Sequence, residues 1–212
     1  MTDVVLRHKR TGGVVARAWR PVTAVALVTL LAGGCAMMAR TPAPDIYDLE
    51  PATEFTDTVA QSDAHLAVTE PEAVGVLDGE RIAVRLTGTQ LSYLGGAQWS
   101  DRLSRLAQTR LIESFQNSDA IASVGRPGGA VVNDYGLVID LRSFHVDVPG
   151  SVAHVEMVAR LVSDETGRVE ATRTFSASQA VARDDRAAMV AALNGAFRSV
   201  AADLVTWTLG SV

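Results

Sequence analysis

The sequence has a single cysteine, Cys35, among its 212 residues. One cysteine cannot form a disulfide within the chain, and four histidines with one cysteine do not make a recognisable zinc ligand set. Aromatic residues are also scarce, at 5% of the chain, so the core must consist mainly of Val, Ala, Leu and Ile. A disulfide scaffold and a structural zinc domain are therefore excluded.

Recognisable catalytic motifs are absent as well. The chain has no G-x-S-x-G nucleophile elbow, and the GRPGG stretch at 125–129 lacks the Lys and Ser/Thr of a phosphate-binding loop. The DETG stretch at 164–167 does not have the spacing of a calcium loop and indicates a hairpin turn. We therefore expect no enzyme activity, no cofactor and no metal site, and a periplasmic hydrolase with a dispersed Ser, His and Asp site is the weakest alternative.

The residues that precede Cys35 indicate its role. A basic segment is followed by a run of about ten uncharged residues, Val22–Leu31, and then by the small residues Gly33 and Gly34. The run is too short to span a bilayer, and the order is typical of a secretory signal peptide. The ending before Cys35 resembles a bacterial lipoprotein signal, in which cleavage after Gly34 leaves a lipidated cysteine, with acyl chains such as palmitate, as the first residue. An uncleaved anchor and an ordinary signal peptide are the alternatives.

The part of the chain from Cys35 onwards is more acidic than the chain as a whole. The whole chain has 19 Lys and Arg and 24 Asp and Glu, of which five basic and one acidic residue precede Cys35, so the remainder has a net charge of −9. An acidic chain of this kind is not a nucleic-acid-binding protein. Composition divides it into a signal peptide at 1–34, a lipidated cysteine with a Pro- and Thr-rich flexible tether at 35–64, and a domain at 65–212. Within the tether, residues 46–49 alternate and indicate a short first strand.

The pattern of apolar residues from residue 65 onwards predicts one α+β domain. Alternating strands lie on both sides of a first helix, and the chain ends in a second helix. The turns at 149–150 and 165–167 separate three long alternating segments, which predict an antiparallel meander. We expect a mainly antiparallel sheet with two helices packed on one face. The predicted strands include RIAVRL, YGLVIDLRSFHVDV, SVAHVEMVARLVSD and GRVEATRTFSASQAV, and the helices are SDRLSRLAQTRLIESFQNSD and DDRAAMVAALNGAFRSVAADLVTWTL.

Side-chain placement follows from the same periodicities. In the strand at 81–86, Ile82, Val84 and Leu86 should face the core. The first helix should be capped by Ser100 or Asp101 and the second by Asp184 or Asp185. The apolar face of the first helix and its solvated arginines can each be read from the spacing. The predicted face is Leu103, Leu106, Ala107, Leu111 and Phe115, and the arginines are Arg102, Arg105 and Arg110.

Two histidines lie on either side of the turn at 149–150. His145 and His154 could face each other across the hairpin and hold a metal ion. No third ligand lies nearby in the sequence, so a pair of histidines on the sheet surface is the favoured interpretation.

The order and spacing of several short motifs resemble the ABC-type transport auxiliary lipoproteins, over nearly all of the chain after Cys35. Tyr93 and Trp99 match an aromatic pair of that family. No single motif is catalytic. In chain order the motifs are LAGGC, YDLEP, RIAVR, LSYLGGAQWSDRLSRLAQTRLIESF, LVIDLRSFHVDV, ATRTF and ALNGAF, followed by Trp207.

The resemblance implies a function. Proteins of this family work with an inner-membrane ABC permease, an ATPase and a mammalian-cell-entry (MCE) domain protein that carries lipids across the periplasm. It implies an outer-membrane lipoprotein that faces the periplasm, docks the MCE component and contacts partners through Tyr93 and Trp99. The oligomeric state stays open, and a homo-oligomer around the MCE assembly would suit this role. Ala36, in place of an Asp after the lipidated cysteine, favours the outer membrane. The alternative is an envelope scaffold or assembly lipoprotein that binds an outer-membrane protein or peptidoglycan.

Overall fold

The computed structural model describes residues 42–55, 58–129 and 132–212. A folded unit extends from Ala43 to Val212. The order of elements along it is strands, helix, strands, helix. The elements are β1 (Asp45–Tyr47), β2 (Ser62–Val68), β3 (Glu72–Ala73), β4 (Arg81–Thr87), β5 (Gln90–Trp99), α1 (Leu103–Asn117), β6 (Ile121–Gly125), β7 (Tyr135–Asp147), β8 (Val152–Ser163), β9 (Val169–Ala180) and α2 (Arg186–Leu209).

All nine of these strands belong to one mixed sheet. β4–β5, β7–β8 and β8–β9 are antiparallel, whereas β1–β5, β2–β6, β2–β7, β3–β7 and β4–β7 are parallel. β7 is the centre: β8 lies along one side, and β2, β3 and β4 follow one another along the other. The prediction of a mainly antiparallel sheet is therefore corrected to a mixed sheet.

The predicted meander of β7, β8 and β9 is confirmed. In β8, Ala153, Val155, Met157, Ala159 and Leu161 are buried and point to one face, which is the alternation that the sequence predicted. We call this the inner face and the opposite one the outer face. Both helices contact strands of the sheet and also contact each other, so they lie on the same, inner face.

Helix α1 buries the predicted apolar face, because Leu103, Leu106, Ala107, Leu111 and Phe115 are all at most 7% exposed. Its start and its arginines differ from the prediction. The cap residue is Arg102, with no capping side-chain hydrogen bond.

The arginines of α1 are engaged in ion pairs rather than simply solvated. Arg102 pairs with Asp78 at 2.7 Å. Hydrogen bonds from Arg102 and Ser104 hold the pKa of Asp78 below its usual value. Arg110 is joined to Asp48 and to Glu113.

Helix α2 begins as predicted, since the Asp185 carboxylate accepts a hydrogen bond from the Ala188 N–H. Within the described residues it is the one helix long and apolar enough to cross a membrane, with a mean hydropathy of 1.3 over its best window. However, 61% of that window is buried, and Phe197, Val200 and Leu204 are fully covered by the sheet and α1. In this fold α2 is a core helix.

The hairpin of β4 and β5 departs from simple alternation. Ala83 is buried beside Ile82 and Val84, while Leu86 is 37% exposed. Leu86 lies past the end of the β4–β7 pairing, which stops with Arg85 opposite Asp147, so β7 does not shield it.

Residues 43–55 belong to the folded unit rather than to the tether. Leu49 and Ala52 are each 2% exposed and join the core, and β1 pairs with β5. The sequence placed the start of the domain at residue 65, but the folded unit starts at Ala43. Short strands and isolated apolar residues carry too little periodicity to reveal this.

Candidate functional site

The predicted lipidation and cleavage residues, Cys35 and Gly34, lie outside the described residues. Both remain predictions from the sequence. The structure describes the other two predicted site residues, Tyr93 and Trp99, on strand β5.

Tyr93 and Trp99 occupy different environments. The Tyr93 ring is half-buried, with the Arg81 guanidinium carbon 3.7 Å from its centre, an arrangement typical of a cation–π contact. Trp99 is 1% exposed and packs edge-on against Phe144, with ring centres 5.8 Å apart. A side chain this deeply buried has no surface to offer a partner. The partner contact predicted for Trp99 is therefore replaced by a core role, because its ring is buried against Phe144 of β7.

Residues 48–52, near the start of the folded unit, are fixed to both helices. The Asn194 side chain of α2 accepts a hydrogen bond from the Glu50 N–H at 2.9 Å and donates one to the Asp48 carbonyl at 3.1 Å. The Ser114 hydroxyl of α1 accepts from the Ala52 N–H at 2.9 Å. Arg198 pairs with Glu50 at 2.6 Å. We call residues 45–52 the N-terminal clasp; it sets where the preceding chain leaves the domain.

Strand β9 forms a free edge of the sheet. It pairs with β8 on one side, and within the described ranges no strand pairs with its other side. Most of its 12 residues are exposed, and its outer face presents Thr172, Thr174, Ser176 and Ser178. A long, regular edge of this kind offers unpaired backbone N–H and C=O groups to an incoming strand.

The two histidines flanking the β7–β8 turn meet as the sequence suggested. His145 and His154 are paired in register, with ring centres 5.7 Å apart. His154 is half-buried, and its Nδ1 lies 2.8 Å from the Ser178 hydroxyl. His145 is only 4% exposed, so the prediction that both histidines lie on the surface fails for His145. The Arg85 side chain on the neighbouring strand β4 lines the same surface cleft.

Burial is the main reason why the pKa of His145 falls to about 4, and the positive charge of Arg85 and the His154 ring act in the same direction. Asp147 has the opposite, smaller effect. His145 is consequently neutral at pH 7. Its Nε2 is buried and, among the described residues, has no hydrogen-bond partner; the same is true of the Arg85 Nε.

An open cleft on the outer face connects these groups. Glu156 also lines it, with its Oε1 3.9 Å from an Arg142 nitrogen. The cleft could not have been found from the sequence, because it joins residues of four strands that only the sheet register brings together. We call it the His–Arg cleft and define it by Arg85, Ser143, His145, His154, Ser176 and Ser178.

Metal ligands are not grouped in the part of the chain that the structure describes: no three His, Cys, Asp or Glu side chains are placed to hold a metal ion. His145 and His154 have no third ligand, and the Arg85 charge beside them opposes a cation.

Comparisons with known proteins agree with this architecture. A protein of Bradyrhizobium diazoefficiens described as uncharacterized protein bll6063 is 33% identical over 167 residues, which cover 78% of this chain and 45% of that protein. The chain thus spans about half the length of this relative. The crystal structure of protein XCC0632 from Xanthomonas campestris is similar with a TM-score of 0.73 and 32% identity, over 78% of this chain and 95% of that one. A second crystal structure, of an uncharacterized protein, has a TM-score of 0.64 at 15% identity over 78% of this chain and 99% of that one, and shows the fold alone.

The family assignment rests on most of the folded unit. Residues 47–205 match the family described as ABC-type transport auxiliary lipoprotein component. That range starts inside the N-terminal clasp and ends near the close of α2, so it includes every strand after β1 and both helices. The chain therefore belongs to the family of ABC-type transport auxiliary lipoproteins.

Proposed function

We propose that this protein is a lipoprotein of the outer membrane that faces the periplasm and docks the MCE-domain protein of an ABC-type intermembrane lipid transport system. Family membership supports an association with an ABC transport system and an anchored position in the cell envelope. The ABC permease and ATPase are then indirect partners, reached through the MCE-domain protein. The role is binding and positioning, without catalysis.

The observation that carries the proposal is the free edge of β9. Its 12 residues are long enough for an extended segment of a partner to add as a further strand. Backbone hydrogen bonds would supply the affinity, and the alternating Thr and Ser side chains would leave the pairing tolerant of the partner's sequence. Tyr93 on β5 is a second proposed contact, since its ring is partly accessible and the Arg81 guanidinium holds it in place.

The anchor and the N-terminal clasp would together limit where the domain can sit. Lipidated Cys35 precedes Ala43, the first residue of the folded unit, by about eight residues. Even a fully extended chain of that length reaches only about 28 Å. Two or more acyl chains hold a protein stably in one leaflet. The domain would therefore remain close to the membrane and would present β9 to a partner that crosses the periplasm.

Site-specific photocrosslinking in intact cells tests the docking edge. A photoreactive amino acid at Thr172 or Thr174 of β9 should capture the MCE-domain protein, identified by mass spectrometry. The same amino acid at Arg105, an exposed position on α1, is the matched control and should not. Capture of a second copy of this chain from β9 would instead identify the edge as a homo-oligomer interface. Capture of only an outer-membrane barrel protein or peptidoglycan would favour the scaffold function.

Fractionation of the envelope tests the anchor. The wild-type protein should sediment with outer-membrane markers, and its mass should correspond to a chain that starts at lipidated Cys35. The Cys35→Ala variant should keep the residues before position 35 and lose most of the MCE-domain protein in a crosslinked pull-down. Sedimentation of the wild type with inner-membrane markers would contradict the proposed location.

A further inference from the structure

We propose that the His–Arg cleft binds a phosphoryl-type oxyanion, either free phosphate or the phosphate of a lipid headgroup. This site lies on the outer face of the sheet, around His145 and Arg85. It does not depend on docking by β9, and the two proposals can fail separately.

Arg85 supplies a positive charge and forms no ion pair with any residue that the structure describes. The ion pairs of the described residues engage eight other arginines but not Arg85. Its Nε is also buried and has no acceptor in the described part of the chain. A guanidinium is always charged and its fixed donors suit phosphate oxygens, so an uncompensated arginine lining a cleft favours an anion over a metal ion.

His145 adds a second nitrogen in need of a partner. A neutral imidazole has one N–H donor, and here the buried Nε2 meets no acceptor or donor among residues 42–55, 58–129 and 132–212. Buried polar atoms are nearly always hydrogen-bonded, so each exception requires an explanation. One acceptor in the cleft would satisfy both His145 and Arg85.

The remaining groups of the cleft suit a tetrahedral ion better than a planar one. The Ser143 and Ser176 hydroxyls contribute from β7 and β9, His154 from β8 and Arg85 from β4. Donors that converge from four strands can reach several oxygens of a phosphate in different directions, whereas a carboxylate offers two oxygens in one plane. Among the described residues no ion pair holds Arg85, so its side chain is free to adjust to a bound ion.

Glu156 opposes the anion and limits its affinity. Its side chain lines the cleft, and its carboxylate is only loosely paired with Arg142, at 3.9 Å. The negative charges near the histidine pair are those of Glu156 and Asp147. The groups that act in the opposite direction are Arg85, Arg142 and the His154 ring. Removing the Glu156 charge should therefore strengthen binding, which a merely structural cleft would not predict.

Nuclear magnetic resonance of the histidine rings gives a direct readout. The full chain, purified in a phosphate-free maltoside detergent, is labelled at its histidines and titrated with inorganic phosphate at pH 7 and constant ionic strength. The His145 and His154 signals should shift and saturate, while His65 on β2 should not move. Bound phosphate should also raise the pKa of His145, because the anion favours the protonated ring.

Variants test whether the shifts of the histidine signals arise from phosphate bound in the His–Arg cleft. Arg85→Gln should weaken phosphate binding about tenfold, since a charge-assisted hydrogen bond is lost. Glu156→Gln should strengthen it, and Arg168→Gln, an exposed arginine at the other end of the β8–β9 hairpin, should leave it unchanged. Because Glu156→Gln removes only a charge, it tests the proposal even if Arg85→Gln does not fold.

A second titration with short-chain phosphatidic acid identifies the source of the phosphate. Saturable binding of both ligands would indicate a site for the phosphate group itself, and binding of the lipid alone would indicate a headgroup site; either result supports the proposal. No saturable shift with either ligand, or equal affinities in the wild type and Arg85→Gln, would overturn it.

Discussion

Gly96 lies where β5 approaches the start of α2. Its φ of +70° is in the left-handed region, and a Cβ there would lie 2.7 Å from an Arg186 nitrogen. Arg186 in turn pairs with Asp45 of β1 at 3.2 Å, so Gly96 allows three elements to meet.

We expect Gly96→Ala to lower the free energy of unfolding by about 1–2 kcal/mol, because a side chain in this conformation is strained. Urea unfolding followed by circular dichroism measures the change. Gly125→Ala is the control, since Gly125 has no atom within 4 Å of the added carbon. Equal losses in both variants would show that Gly96 has no special role.

His145 should make stability depend on pH. Its pKa is about 4 in the folded protein, against 6.5 for an ordinary histidine. Between these values the unfolded chain binds the proton and the folded chain does not. The contribution of the neutral ring is therefore complete above pH 6.5 and is lost as the pH falls towards 4, by about 3 kcal/mol at most.

Chemical unfolding of the wild type and of His145→Gln at pH 7 and at pH 4.5 tests this expectation. The two proteins share all their other ionisable groups, so the informative quantity is the difference between their pH profiles. The variant should lose less stability on acidification than the wild type. Parallel profiles would mean that His145 is already protonated in the folded state.

At the level of elements, the N-terminal clasp depends on one side chain of α2. Asn194 is 8% exposed and bonds the backbone of both Asp48 and Glu50. Asn194→Ala leaves those two backbone groups without partners, and we expect a loss of about 1–3 kcal/mol. Hydrogen exchange at residues 48–52 should accelerate far more than exchange in β8.

Ser199→Ala is the matched control for this prediction. Ser199 lies one turn further along α2, is exposed, and donates only to the Gly195 carbonyl within the helix. Its loss should leave exchange in the clasp unchanged. Similar acceleration in both variants would mean that the clasp is held by the Leu49 and Ala52 side chains rather than by Asn194.

The elements differ in how well the sequence predicted them. The meander and both helices could be predicted because each has at least 12 residues of regular periodicity. The parallel pairings could not, since β3 has two residues and β1 has three, and partners far apart in the chain leave no local signal. In the His–Arg cleft, the pairing of His145 with His154 could be predicted from the β7–β8 hairpin. The proximity of His145 to Arg85 could not, because it depends on the parallel pairing of β4 with β7.

For the whole molecule, the boundary at Ala43 can be tested by truncation. A chain that starts at Ala43 retains β1, Leu49 and Ala52, and should unfold cooperatively. A chain that starts at Thr58 lacks Leu49, so the surface that Leu49 covers becomes exposed. It also leaves the Asn194 side chain without its hydrogen-bond partners in the N-terminal clasp. Lost burial and hydrogen bonds should together cost about 3 kcal/mol, which corresponds to a melting temperature lower by about 10 °C.

Differential scanning calorimetry of the two truncated chains measures that difference. The chain starting at Ala43 and the full-length protein in detergent should show the same transition for the folded unit. Equal melting temperatures for the chains starting at Ala43 and Thr58 would restore the boundary near residue 65 that the sequence suggested.

The hydrogen bonds of Asn194 connect residues 144 and 146 positions apart. Closing loops of that size is slow, and the apolar inner face of β7, β8 and β9 stays uncovered until α2 has been synthesised. An incomplete chain therefore cannot reach the native state. Such a delay would suit the export that the predicted signal peptide implies, because the chain cannot complete its core before α2 is available.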